Sequence, residues 1–253
     1  ITQTPLNEQD LKTMSEAVEV LRQFKGFSYF TEMSDIINRL EDHVASARMK
    51  TTPVIDFEKN ESLKGLDYLD TIYHAIVNEH PIQLKYRSFK ARSANSFIFY
   101  PYLLKEYRNR WFVYGVRGNG RILQNLALDR IQSLEVLPQE HYIKNTFFDP
   151  NTFFDDLVGV TKNSGSVAEK IGFKVAAAEA PYIITKPIHR SQQVVERLAD
   201  GSVILEIEVV INHELERVFF GYAEGIQILY PKTLVELMGR KLKKAAEQYT
   251  HSK

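Results

Sequence analysis

Between Lys85 and Arg130 the chain interleaves two kinds of side chain that together could hold a nucleotide. Lys85, Arg87, Arg108, Arg110, Arg117, Arg121 and Arg130 alternate with Tyr86, Phe89, Tyr100, Tyr102, Tyr107, Trp111 and Tyr114. A guanidinium grips phosphate through two parallel N–H bonds. An aromatic face stacks on a base for about 1–3 kcal/mol, whatever the sequence. Alternate residues of a strand point inward, so Trp111 and several of the tyrosines read equally well as core. Arg110 and Arg130 fit a core less readily, because a guanidinium is rarely buried without a carboxylate or phosphate partner.

The rest of the chain offers little chemistry. It has no cysteine, which excludes a disulfide framework, thiol catalysis and thiolate-ligated metals. Seven histidines are scattered without the spacing of a metal site. His213-Glu214 opens like a zinc-protease helix, but Arg217 stands where the second histidine is required. Gly118-Asn119-Gly120 fails as a dinucleotide fingerprint, since Leu123 takes the third glycine position. A serine-nucleophile elbow and a Walker A lysine are both missing from the sequence. The pattern is that of a binding protein, with no enzyme activity, cofactor or metal expected.

Charge points the same way. The 253 residues carry zero formal net charge, with 32 Lys/Arg against 32 Asp/Glu, but unevenly distributed. Residues 1–81 hold 8 against 14 (−6), residues 82–145 hold 11 against 4 (+7), and residues 146–253 hold 13 against 14 (−1). A +7 block suits an anionic partner, or a basic face solvated or packed on the acidic N-terminal part. No apolar run reaches the length of a membrane span and no signal-peptide pattern opens the chain, so the simplest compartment is the cytoplasm. The first residue is Ile1 rather than Met, as expected of a fragment or a processed product.

The elements that must position these residues fall into three parts. Residues 1–80 read as a helical linker or dimerisation region, with stripes Leu11/Met14/Val18/Leu21 and Met33/Ile36/Ile37/Leu40/Val44. A third helix, capped by Ser62, presents Leu66, Leu69, Tyr73 and Ile76 and ends at His80-Pro81, and residues 50–60 read as a loop or extended arm. Residues 81–144 switch to a strand period, with candidates at 82–89, 95–100 running into 103–107, 110–117, 121–127 and 131–137. Five short hairpin-linked strands expose fewer edges when closed, which predicts a small β-barrel. Residues 145–165 form a connector that repeats NTFFDP as NTFFDD. Residues 166–253 read βαββαβ, a ferredoxin-like order, followed by an extra basic C-terminal helix opened by Pro231. The fold class is therefore α+β.

The run PYLLKEYRNRWFVYGV, followed by LALDRIQSLEVL, resembles the core of the WYL domain of bacterial transcription regulators. The family's name-giving residues fall on Trp111, Phe112 and Val113, and LKYRS at Leu84–Ser88 matches its early strand. KPIHRSQQV, DGSVILEIEV and GIQILYPKTL resemble the extension domain that often follows WYL. The resemblance covers about residues 81–250 and implies an Sm-like barrel, a type of small SH3-like barrel, that senses a ligand and controls an attached DNA-binding domain.

Carried over by position, the resemblance implies a ligand pocket of Tyr86, Ser88, Tyr102, Arg110, Trp111, Tyr114, Gln124, Asn125 and Arg130. Many relatives have His at the position of Tyr102, a polar or basic residue at that of Tyr114, and an Arg near residues 124–127, so this pocket is less cationic. The family's winged helix–turn–helix is not evident in residues 1–80. The implied partners are a nucleotide or single-stranded nucleic-acid effector, a second copy in a homodimer, and operator DNA through a domain outside this chain. Two other readings compete: a stand-alone Sm-like RNA- or single-strand-binding module, and a structural dimerisation module whose basic face meets an acidic protein.

Overall fold

In a computed structural model the described residues are Asp35, 64–118, 120 and 122–250, the side chain of residue 250 excepted. The expected helices at 11–21 and 33–44, the arm at 50–60, the Ser62 cap and the side chain of Arg121 lie outside them. Two compact units divide at residues 145 and 146.

In the first unit, a 3-10 turn at Leu66–Tyr68 leads into α1 (Leu69–Val77). Leu66, Leu69, Ile72 and Ala75 recur every three residues and are all buried, whereas Tyr73 is 44% exposed. The buried stripe is thus rotated from the one expected through Tyr73 and Ile76. Five strands follow: β1 (Ile82–Tyr86), β2 (Asn95–Tyr107), β3 (Arg110–Arg117), β4 (Leu123–Ala127) and β5 (Ile131–Val136). They form one antiparallel sheet in the order β4-β3-β2-β1-β5.

The two strand segments expected at 95–100 and 103–107 are one strand, bent by a register shift between Pro101 and Leu103. An extra residue at such a bulge increases twist and lets a sheet curl. The curl is enough for the Tyr86 hydroxyl, on β1, to meet the Ala127 backbone N–H at the end of β4. A single 3-10 turn, Leu128–Arg130, joins β4 directly to β5.

Strand alternation sorts the two faces of this sheet. Ile82, Leu84, Phe99 and Val113 are fully buried with Leu69 and Ile72 of α1, and Trp111 packs half-buried against them. Each such apolar side chain contributes roughly 1.5–3 kcal/mol by burial. Gly115 keeps β2 and β3 close: a Cβ there would lie 2.1 Å from the Tyr100 carbonyl oxygen and 2.6 Å from the Phe99 ring. The β2–β3 turn uses Arg108 (φ 50°) and Asn109 (φ 61°), both left-handed, as a two-residue hairpin requires. After β5 the chain returns: Leu137 N–H donates to the Pro81 carbonyl, and the Tyr142 hydroxyl donates to that of Pro101.

The second unit is a four-stranded antiparallel sheet of β6 (Glu169–Val175), β7 (Gln193–Arg197), β8 (Val203–Val209) and β9 (Ile226–Tyr230), in the order β7-β8-β6-β9. With α2 (Ala180–Thr185) after β6 and α3 (His213–Phe220) after β8, this is the expected ferredoxin-like order, extended by α4 (Lys232–Thr250). Ile171, Phe173, Leu205, Ile207, Ile183 and Leu215 make its fully buried centre. Helix α3 ends at Phe220, and a 3-10 turn, Ala223–Gly225, leads into β9. Asn212 caps it: Leu215 N–H donates to Asn212 Oδ1 at 2.8 Å, while Asn212 Nδ2 donates to the Val158 and Thr161 carbonyls, both at 2.9 Å. β7 is an outer strand with all five residues exposed, and a register irregularity lies between Val194 and Glu196.

Candidate functional site

The end of β4, the 3-10 turn after it and the start of β3 bring charges together. Arg110 Nε lies 3.1 Å from Asp129 Oδ2, and Arg130 Nε lies 3.8 Å from Asp129 Oδ1. Asp129 is the most buried of the three at 11% exposure, against 27% for Arg130 and 44% for Arg110. The carboxylate partner that the arginines needed is thus next to one of them in sequence, a relation that the run Leu128-Asp129-Arg130 displays and that sequence reasoning passed over.

The pairing is incomplete. Among the described residues, Arg130 Nε and Asp129 Oδ1 are buried without a hydrogen-bond partner, the 3.8 Å between them being an ion-pair distance only. Buried polar atoms of this kind are few in native proteins and mark strain, a missing ion or a binding role. Two cations share one anion, so the cluster keeps a net charge of +1.

Tyr86 completes the inner side of the cluster. Burial pushes its hydroxyl up from the ordinary tyrosine value, against the opposing pull of the Arg130 charge and hydrogen bonds from the Ala127 backbone and Arg130. On the outer side the Arg130 guanidinium sits 4.6 Å from the centre of the Phe89 ring, and Phe89 is 74% exposed. Phe89 was among the interleaved aromatics but not among the expected pocket residues. The β1–β2 loop that carries it is tied to the turn by the Arg87 N–H, which donates to the Arg130 carbonyl at 3.1 Å. The loop folds on itself through Ala91 N–H to the Ser88 carbonyl (3.0 Å) and Arg87 Nε to the Ala91 carbonyl (3.4 Å).

The nine expected residues do not line one surface. Trp111 and Tyr114 are three apart on β3, so alternation places them on opposite faces. Tyr114 is opposite Asn125 in the β3–β4 register, and Gln124 is opposite Gly115. Tyr114 and Tyr102 are buried, at 2% and 8% exposure. Tyr102 sits at the β2 bulge in edge contact with Tyr142, ring centres 6.1 Å apart. Burial and the neighbouring Tyr100 push its hydroxyl pKa up to about 12. The structure therefore gathers Tyr86, Arg110 and Arg130 with Asp129 and Phe89, places Ser88 in the adjoining loop, and holds Tyr102 and Tyr114 apart as packed aromatics.

A concavity of about 550 Å³ lies in the C-terminal unit between β9 and α4, with Phe219, Ile228, Val235, Met238 and Leu242 in its lining. It is mostly apolar and contains none of the expected residues. Among the described residues no helix is long and apolar enough to cross a membrane.

A curled five-stranded sheet with this cluster, followed by a ferredoxin-like unit, defines the class. The chain carries a WYL domain, matched over residues 67–136, followed by a WCX domain, matched over residues 168–246. No curated protein sequence matches it. Among solved structures it is similar to the proteasome accessory factor B/C (PafBC) of Arthrobacter aurescens, at 15% identity and a TM-score of 0.30, over 86% of this chain and 31% of that one. It is also similar to a protein described as CRISPR Cas-related, at 10% identity and a TM-score of 0.48, over 99% and 88%. The chain thus spans about a third of the PafBC chain.

Proposed function

We propose that this chain is the sensing region of a bacterial transcription regulator, whose WYL domain binds a phosphate-bearing effector, a nucleotide or short single strand, at Arg110 and Arg130. The observation that carries this is the under-satisfied cluster in which two partly exposed arginines share Asp129 and, among the described residues, leave a buried Nε without a hydrogen bond. A phosphate would supply the second anion. Charge-assisted hydrogen bonds of this kind contribute about 1.5–3 kcal/mol each. Ligand binding controls an attached DNA-binding domain only if the ligand prefers one state of a dimer over another, so the homodimer belongs to the same proposal. The setting is the cytoplasm, and the effector and operator DNA are the partners.

The test uses the only tryptophan, Trp111, which adjoins Arg110 on β3. Mononucleotides, cyclic and linear dinucleotides, and short single-stranded DNA and RNA are titrated while Trp111 emission and oligonucleotide anisotropy are followed. Saturable binding that Arg110→Ala and Arg130→Ala each weaken at least tenfold is expected. Unchanged binding by Arg130→Glu, with the fold intact, would place the ligand elsewhere.

A further inference from the structure

Phe89 is out of place for an ordinary surface residue. A phenylalanine 74% exposed in a polar loop gives up its burial energy, yet the loop that presents it is fastened at both its backbone and its side chains. One face of its ring rests against the Arg130 guanidinium. Three further cations, Arg87, Lys90 and Arg92, are exposed within the same loop, and no acidic residue lies between Tyr86 and Tyr100. The ring is therefore an aromatic plate backed by a cation and bordered by positive charge.

We infer that Phe89 is a base-stacking residue, and that the ligand of this site is a single-stranded nucleic acid of several nucleotides rather than a mononucleotide. This rests on the reading of Arg110 and Arg130 as phosphate-binding. A base laid on the solvent side of Phe89 puts the adjoining phosphate at Arg130 and Arg110, and the neighbouring phosphates meet Arg87, Lys90 and Arg92. Stacking on an aromatic face is insensitive to base identity, so the loop selects for a base beside a phosphate and not for sequence. The backing guanidinium strengthens the plate through its cation–π contact.

The experiment measures anisotropy of labelled dT8, of an eight-residue strand with abasic sites, and of dTMP in competition, using the whole chain. Removing Phe89 leaves the core untouched because the ring is not part of it. Phe89→Ala is expected to weaken dT8 binding about 5- to 100-fold, and Phe89→Trp to restore it. The abasic strand is expected to bind the parent and Phe89→Ala equally, and dTMP to bind far more weakly than dT8.

A Phe89→Ala protein that binds dT8 like the parent, while Arg130→Ala does not, would overturn the stacking role and leave the phosphate site standing. Equal loss for dT8 and the abasic strand would reduce Phe89 to a support for Arg130. dTMP binding as tight as dT8 would overturn the oligomer. Undiminished dT8 binding by Arg110→Ala and Arg130→Ala would remove the underlying reading itself.

Discussion

Replacing Asp129 by Asn should move stability and anion affinity in opposite directions. The substitution keeps the side chain's shape and one carbonyl acceptor but deletes the charge that Arg110 and Arg130 share at 3.1 and 3.8 Å. Removing one partner of a fully buried ion pair costs about 3–5 kcal/mol. Here Arg110 is 44% exposed, so solvent takes over much of the loss and about 1–2 kcal/mol remains. At roughly 4–8 °C per kcal/mol for a small domain, the melting transition of this unit should fall by about 4–16 °C.

A phosphate bound on the arginines would meanwhile escape repulsion from a carboxylate some ~6 Å away. At an effective dielectric constant near 20 that repulsion is ~3 kcal/mol, and solvent exposure reduces it to about 1–2 kcal/mol. Affinity for dT8 should therefore rise about 5- to 30-fold at low salt, by a factor that shrinks as salt is added. Differential scanning fluorimetry and anisotropy at two ionic strengths read both quantities on one sample. Unchanged or weaker binding by a variant whose Trp111 emission still reports a folded sheet would refute the anion-site argument, because no other role of Asp129 gives the two signs.

Other substitutions probe the scaffold. Asn212→Ala removes the cap of α3 and leaves two carbonyls without their donor, so the C-terminal unit should lose about 2–3 kcal/mol in urea unfolding; a loss under ~0.5 kcal/mol would deny the cap its role. Gly115→Ala places a methyl against the Tyr100 carbonyl and the Phe99 ring and should unfold the first unit at ambient temperature, visible as loss of β-sheet circular dichroism; a folded variant would contradict the close strand approach. Burial and the adjacent Arg190 lower the pKa of His189, whose Nδ1 lies 2.8 Å from Ser191 Oγ. The unfolded chain then takes a proton more readily than the native one, so stability should decline as pH falls through about 6.5 toward the lower native value. In His189→Gln that segment of the pH–stability curve should flatten, and an unchanged curve would assign the effect to another group.

Much of the scaffold was legible because strands and helices write their burial into residue period. β3, β5 and the βαββαβ order follow from alternation and turn residues, whereas the first strand, expected over 82–89, ends at Tyr86 and leaves Ser88 and Phe89 in a loop. α1 shows the limit: Leu66, Leu69, Ile72 and Ala75 form the buried stripe, but Tyr73 is as apolar by type as Ala75 and drew the expected face toward itself. The bulge at Tyr102 had a local marker in Pro101, which has no N–H for the ladder of a central strand, but it was passed over in favour of two separate strand segments. For the site, the arginines were legible from the cost of burying a guanidinium. Asp129 was equally visible in the sequence but was read as part of a motif rather than as a charge. The split of Trp111 from Tyr114 was implied by their odd spacing on a strand. Phe89 was not readable, because an aromatic in a loop acquires meaning only once its exposure and its cation are known.

The outer strand β7 faces a hazard of its own architecture. Val194 and Val195 are 42% and 55% exposed beside a row of backbone groups that β8 does not use. Such a row is a template on which a strand from another molecule could zip. The irregularity between Val194 and Glu196 breaks the regular repeat such a zipper needs, and Glu196 and Arg197 put opposite charges on the same short run. Straightening that kink by deleting one valine would therefore be felt less in the fold of a single molecule than in its colloidal behaviour, as the onset of aggregation in concentrated solution.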